Sequence, residues 1–483
     1  MKQPGAILLV ACYELGHQPL ALASPLGLLH EAGYHPAAID LSVEPLEALA
    51  AARGAQLVAI SAPMHTALRL GVPVAERIRQ INSKAHISFY GLYAWLNADF
   101  LLHGIADSVI AGEFEPPLLS LAEALERGQP AGGAPGVVTR EQPGTPHLER
   151  IHFAAPQRAS LPPLERYAQL AEGDRTRTAG YVEASRGCLH VCRHCPITPV
   201  YEGRFFVVPA ETVLADARAQ VEAGATHLTF GDPDFLNGPG HSLKIVRALH
   251  AEFPNLTFDF TAKVEHLLKQ RRLLPELRAC GAIFAVSAFE STSDEVLAKL
   301  DKGHTRAEMI EALAVSAAAG IPLRPSFVAF TPWTTLDDYL DMLEFARDNG
   351  LTEQVDPVQF SIRLLVPPGS ALAQRPENAA WLGELDAPRF TYRWDHPDPR
   401  MDTLYRTVSA RVEQAAQAGE DASETFDAIR ELAYTAAGLR PPATDGRRLA
   451  EERKQIPRLT EAWFCCAEPA GGELIPLGEI QLA

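Results

Sequence analysis

Cysteine is scarce in this chain, seven in 483 residues, and methionine and tryptophan are scarcer still, at five each. So few cysteines, with no signal peptide legible ahead of them, exclude a disulfide framework and fit a reducing cytoplasm. Basic charge is short as well: 43 Lys and Arg against 60 Asp and Glu leave a net charge of −17. That balance excludes a nucleic-acid backbone as the main partner, while leaving room for a small basic pocket. No apolar run is long enough to span a membrane. Gly5–Ala11 stops too soon and reads as a buried first strand. What remains is an ordinary globular composition, 47% hydrophobic and 21% charged, over a length that suggests about three domains.

Against that scarcity, three of the seven cysteines fall in one loop, Glu183-Ala-Ser-Arg-Gly-Cys188-Leu-His-Val-Cys192-Arg-His-Cys195. Three thiolates converging in one loop bind a metal or a cluster. Two readings stand side by side: an iron–sulfur cluster on Cys188, Cys192 and Cys195, or a Cys3His zinc site completed by His190 or His194. Two further cysteines, Cys465 and Cys466, are adjacent in the tail, after Trp463 and Phe464. Neighbouring side chains of an extended segment point oppositely, so both reach one ligand only where the chain bends. Otherwise they are two core thiols.

Residues 1–130 alternate short apolar runs with helical patterns. Strand candidates are Ala6–Val10, His35–Asp40, Gln56–Ser61, His86–Tyr90 and Ser108–Ala111, with helices such as Pro25–Ala32 and Val72–Asn82 between them. This alternation predicts a doubly wound parallel α/β sheet, with its ligand crevice near Cys12–His17, Ala62–His65 and Gly91–Ala94. Residues 131–175 form a Gly- and Pro-rich linker, with a short strand at Gly136–Thr139. From residue 176 to 370 a strand–helix unit repeats six times, which suits a partial (βα)6 barrel with its active residues at the strand C-terminal ends. Residues 371–483 read as a helical region, Met401–Ala418 and Ala422–Ala437, followed by the cysteine-containing tail.

The Cys-x3-Cys-x2-Cys spacing resembles the signature of the radical S-adenosylmethionine (SAM) superfamily. The resemblance implies a 4Fe–4S cluster on the three cysteines, with SAM on the open iron and a reducing partner such as flavodoxin or ferredoxin. It implies SAM-binding roles for residues of matching position. Gly231, Asp232, Pro233 and Asp234 stand where the family carries a Gly-Gly-Glu motif, and either Asp232 or Asp234 would meet the SAM amino group. Lys263, which strand alternation puts on one side with Glu265, Ser287, Glu290 and His194 join them. Glu290 is the candidate for the ribose hydroxyls, or else a helix cap. Arg324 would pair with the SAM carboxylate or form a structural salt bridge.

The first 130 residues resemble the cobalamin-binding-like domain that precedes many radical SAM barrels, with Gly112-Glu-Phe-Glu115 at its Gly-Glu turn. The Asp-x-His-x-x-Gly loop carrying a cobalt-ligating histidine is absent; Cys12-Tyr-Glu-Leu-Gly-His17 stands there instead. Cobalamin is therefore not favoured on this reading. Cys465-Cys-Ala-Glu-Pro469 resembles the tail of the CUAEP/CCAEP-tail radical SAM proteins, a family that includes the enzyme of arsinothricin biosynthesis. That resemblance implies arsenite as substrate, held by Cys465 and Cys466 as binding and catalytic residues, with Cys12, Cys280 or a hydroxide as third ligand. The implied reaction transfers the 3-amino-3-carboxypropyl group of SAM to trivalent arsenic, giving hydroxyarsinothricin. Two other classes remain: a cobalamin-dependent radical SAM methyltransferase or other 5′-deoxyadenosyl-radical enzyme, and a metal- or arsenic-binding sensor without turnover.

Overall fold

A computed structural model describes residues 1–442 and 456–461. Two large sheets organise them. The N-terminal sheet holds β1 (Ile7–Ala11), β2 (Ala37–Asp40), β3 (Leu57–Ser61), β4 (His86–Tyr90), β5 (Ser108–Ile110) and β6 (Val137–Val138) in the order 2-1-3-4-5-6. Its first five strands are parallel, and β6 closes the edge antiparallel to β5. Strands β1, β3 and β5 are buried throughout, as a sheet covered on both faces requires. The expected doubly wound sheet is therefore present, and the order reverses beside β1 and β3, where such folds form a crevice at the strand C-termini.

Two helices of this sheet run across a proline, and the reading that began them at Pro25 and Val72 starts both too late. Helix α1 spans Leu20–Glu31 with Pro25 inside it, and α2 spans His65–Ile81 with Pro73 inside it. A proline within a helix leaves the carbonyl four residues back without its donor. For Pro25 that carbonyl is Ala21, and the Tyr90 hydroxyl donates to it at 2.7 Å. A tertiary hydrogen bond thus keeps the interrupted turn satisfied.

The second sheet has seven strands in the order 14-13-12-11-8-7-17: β7 (Gln169–Glu172), β8 (Arg175–Val182), β11 (His227–Phe230), β12 (Thr257–Thr261), β13 (Ala282–Glu290), β14 (Leu323–Phe327) and β17 (Arg458–Leu459). Five of them, β8, β11, β12, β13 and β14, run parallel. β7 pairs antiparallel with β8, and β17 with β7. The sixth barrel strand expected at Val358–Val366 is not formed. Residues Pro357–Ser361 make a 3-10 turn, and one isolated bridge, Phe330 to Arg363, continues the curl.

A small ribbon, β9 (Ser185–Gly187) with β10 (Phe205–Val207), carries the cysteine loop between its strands. A hairpin of β15 (Leu382–Asp386) and β16 (Thr391–Trp394) and two helices, Pro399–Ala418 and Ala422–Ala436, complete the described C-terminal part. These helices bury Met401, Leu404, Val408, Phe426 and Ile429 in the same core as the second sheet. The connector is pinned as well: the buried Arg158 guanidinium grips Asp216 at 2.6 Å and donates to the Tyr181 carbonyl at 2.8 Å. Among the described residues no helix is long and apolar enough to cross a membrane.

Candidate active site

The C-terminal ends of the two sheets face each other across a cavity of about 300 Å³. From the N-terminal sheet its wall takes Glu14 and His17 after β1, Met64 after β3, Tyr93 after β4, and Gly112 and Phe114 after β5. From the second sheet it takes Cys188, Cys192, Cys195, Gly231, Asp232, Pro233 and Lys263. The crevice expected along residues 12–17, 62–65 and 91–94 and the strand ends of the second sheet thus share one space.

The cysteine loop is shaped locally. Gly187 has φ +73°, and a Cβ there would stand 2.5 Å from the Arg204 carbonyl and 2.6 Å from the Tyr201 ring. Only glycine admits that approach. The Cys188 amide then donates to the Arg204 carbonyl at 3.1 Å, and the Cys195 amide to the Cys192 carbonyl at 3.2 Å. Cys188 and Cys192 are buried, and burial pushes the Cys188 thiol up to about 12. Thiolate there needs a compensating positive centre. Among the described residues, the trio of potential ligands whose donor atoms all lie within 4.8 Å of one another is His190, Asp234 and His266. The three cysteine sulfurs are not such a trio.

Behind the loop lies a buried ionic cluster. Glu290 accepts from the Lys302 ammonium at 3.0 Å and lies 3.3 Å from His194 Nε2. Burial pushes the Glu290 carboxyl up, but the Lys302 charge and the His194 hydrogen bond overcome it and hold it at about 2. Lys263 Nζ stands 3.7 Å from Cys192 Sγ.

A second buried cluster ties this loop to the N-terminal sheet. Arg186 reaches Glu115 at 2.6 Å, Glu113 at 3.4 Å and Glu183 at 3.0 Å, with Phe114 and Phe153 each 5.2 Å from its guanidinium. Glu113 also accepts from the Tyr201 hydroxyl at 3.0 Å, and burial pushes its carboxyl up to about 7 against the pull of Arg186. Sequence reasoning noted the Gly-Glu turn at 112–115 but not its partner. The available signal was an arginine beside the Gly-Cys step, facing two carboxylates in an otherwise apolar strand end. Glu14, also missed, accepts from the Leu20 and Ala21 amides at the start of α1; burial pushes it up to about 8.

The residues singled out from sequence divide. Cys188, Cys192, Cys195, His194, Gly231, Asp232, Pro233 and Lys263 line the cavity. Asp232 spends its oxygens on the Ala184 amide at 2.9 Å and the Ser185 hydroxyl at 2.6 Å. Four expected SAM contacts lie off the wall. Asp234 is fully buried and accepts from the Leu236 and Lys263 amides. The Ser287 hydroxyl donates to the Ala262 carbonyl at 2.8 Å, so it ties adjacent strands. Glu290 accepts from Lys302 and lies beside His194, and the N-cap of the following helix is Ser293. Arg324 pairs with Asp356 at 2.9 Å, the structural salt bridge of its two readings. Cys12 is enclosed in the N-terminal core, and Cys280 precedes β13, at the opposite strand end from the cavity. Cys465 and Cys466 lie outside the described residues.

With this geometry in place, comparison with known proteins is specific about class. Residues 182–346 match the model of the Radical SAM superfamily. Among curated relatives, an uncharacterized methyltransferase of Pyrococcus horikoshii, PH0819, is 22% identical over 303 residues, 61% of this chain and 64% of that protein. The hopanoid C-3 methylase of Methylococcus capsulatus is 26% identical over 239 residues, 49% of this chain and 45% of the methylase. The chain thus spans less than two thirds of either relative's length. Among solved structures, the cobalamin-dependent radical SAM enzyme OxsB with aqua-cobalamin and SAM bound superposes with a TM-score of 0.69 at 15% identity, over 92% of this chain and 74% of that one. TsrM of Kitasatospora setae, a radical SAM methyltransferase with tryptophan and a SAM analogue bound, gives 0.57 at 17% identity, over 72% and 71%. At such identities the likeness is one of fold.

Proposed function

We propose that the protein is a corrinoid-dependent radical SAM enzyme that transfers a methyl group from SAM to a small molecule admitted to the interdomain cavity. The observation that carries this reading is the single cavity shared by the three cysteines and by the loops after β1, β3, β4 and β5. Its relatives' names point the same way, two of them being a methyltransferase and a methylase.

The residues present fit both groups. Cys188, Cys192 and Cys195 would hold a 4Fe–4S cluster: they are three soft donors together on the cavity wall. A corrinoid would lie against the N-terminal wall, where Leu15, Met64, Leu92, Tyr93 and Phe114 offer an apolar face and His17 a neutral imidazole. Burial holds His17 down at about 4. The enclosed volume alone is that of a SAM-sized ligand, so corrinoid uptake also requires the solvent-facing part of the cleft. This revises the expectation that set cobalamin aside: losing one ligating histidine removes one bond to cobalt and leaves the apolar wall standing. When bound, the cluster supplies single electrons to SAM and the corrinoid a transferable methyl group.

The chain's own groups bind and position. Lys263 sets a positive charge beside the Cys192 sulfur, and Glu290 with Lys302 and His194 braces the loop from behind. Gly231 makes room for Tyr181: a Cβ there would stand 1.9 Å from the Tyr181 hydroxyl oxygen, so only glycine lets that ring pack against the strand end. Phe230 and Tyr181 exclude water from the barrel side.

Transfer of the aminocarboxypropyl group of SAM to arsenite held by Cys465 and Cys466 keeps one observation in its favour. Glu461 accepts from the Tyr13 hydroxyl at 2.7 Å and packs against Gly16, in the loop that contributes Leu15 and His17 to the cavity. Cys465 follows Glu461 by four positions in the sequence.

Replacing Cys188, Cys192 and Cys195 with Ala tests the cluster assignment. The reconstituted variant is expected to lose its cluster iron and at least about a thousandfold in SAM cleavage, while keeping its far-ultraviolet circular dichroism. Retained cleavage would sink the assignment.

A further inference from the structure

We propose that His190, Asp234 and His266 form a site for one divalent first-row transition-metal ion, distinct from the three cysteines. The Asp234 carboxylate is fixed before any ion arrives. Oδ1 accepts from the Leu236 amide at 2.9 Å, and Oδ2 from the Lys263 amide at 3.1 Å. Second-shell bonds of this kind orient ligating carboxylates. His266 Nδ1 lies 2.9 Å from Oδ2, and His190 Nε2 lies 3.8 Å from the same oxygen. Donors bound at ~2.1 Å with angles between octahedral and tetrahedral lie about 3.0–3.4 Å apart. The Asp234–His266 pair, at 2.9 Å, is already close to that spacing, and a tilt of the His190 ring would bring its nitrogen toward both.

An Asp–His hydrogen bond accounts for His266 without an ion. It does not account for His190. That ring lies tilted against His266 with centroids 4.6 Å apart, and its Nε2 is buried with no hydrogen-bond partner. The oxygen it faces is already accepting from two donors. A cation at the centre satisfies the orphaned nitrogen. The Lys263 ammonium does not forbid this, because the Glu265 carboxylate at 3.9 Å opposes its charge.

Two imidazoles and one carboxylate select iron(II), cobalt(II) or zinc(II) over magnesium or calcium, and the set leaves coordination positions open. His190 and Lys263 both line the cavity, so those positions face it. The ion would take an oxygen donor of a small-molecule ligand there, as a Lewis acid. None of this rests on the radical reading, and its test needs no turnover.

The probe is cobalt(II), titrated into the full chain with Cys188, Cys192, Cys195, Cys465 and Cys466 all replaced by Ala. One equivalent should bind with visible d–d absorption and no thiolate-to-cobalt band, and His190→Gln in the same background should weaken it by about tenfold or more. Unchanged affinity in His190→Gln, or no uptake by protein whose circular dichroism is native, would overturn the proposal. A second measurement uses the wild-type holoprotein with its cluster intact. One zinc per chain beyond the cluster iron, lost in His190→Gln while the iron stays, supports the site; zinc that is absent, or unaffected by the substitution, refutes it.

Discussion

Single residues show where side-chain direction, rather than position in the chain, decides a role. Glu290 stands at the end of β13, where an even alternation would turn it toward the cavity. The β13–β14 register shifts between Ala288 and Glu290, and Glu290 adopts φ +64°. A left-handed residue at an irregularity sends its side chain elsewhere, here into Lys302 and His194. Nothing in the local sequence announces that shift. The cysteines were legible because their geometry is carried by a short loop and its spacing. The Glu290 pairing gives a pH-dependent prediction. Its folded value near 2 lies below its ordinary 4.5. The stabilisation is therefore complete above about pH 4.5 and is lost as pH falls through 2. Glu290→Gln leaves Lys302 buried without its counter-charge and should cost about 3–5 kcal/mol at pH 7. Urea unfolding should show the gap from wild type narrowing near pH 3, and an equal gap at both values would contradict the pairing.

Among elements, strands were the easier part of the sequence to read and helix starts the harder. Apolar runs such as Leu57–Ser61 and His86–Tyr90 mark buried strands because both sheet faces are covered. Pro25 misleads because a proline is a good first helical residue in general. Here tertiary contact, not local propensity, sustains the turn before Pro25. Tyr90→Phe removes only the hydroxyl that serves the Ala21 carbonyl and should destabilise the protein by about 1–3 kcal/mol in urea unfolding. A neutral substitution would show that water serves that carbonyl equally well. The sixth barrel strand failed for a related reason. Its apolar stretch Val358–Val366 has the composition of a strand, but Asp356-Pro357 opens a 3-10 turn that takes up Val358–Ser361.

At the scale of the molecule, the cavity exists because two parallel sheets meet end to end, and Arg186 holds that meeting. One guanidinium between Glu113 and Glu115 of one sheet and Glu183 of the other is buried on all sides. Arg186→Met would strand three carboxylates and should cost about 3–5 kcal/mol. Thermal unfolding would report it, along with faster proteolysis of the connector between residues 131 and 175. Unchanged stability and proteolysis would mean the sheets hold without it. The central claim concerns what this shared cavity does. It is tested most directly by anaerobic turnover of the iron–sulfur-reconstituted chain with SAM and reductant, with and without aquacobalamin, the SAM-derived products being identified by mass spectrometry. The account predicts S-adenosylhomocysteine together with 5′-deoxyadenosine, the former only when cobalamin is supplied. Methylthioadenosine as the main product, formed equally without cobalamin, would contradict it and turn the assignment to aminocarboxypropyl transfer.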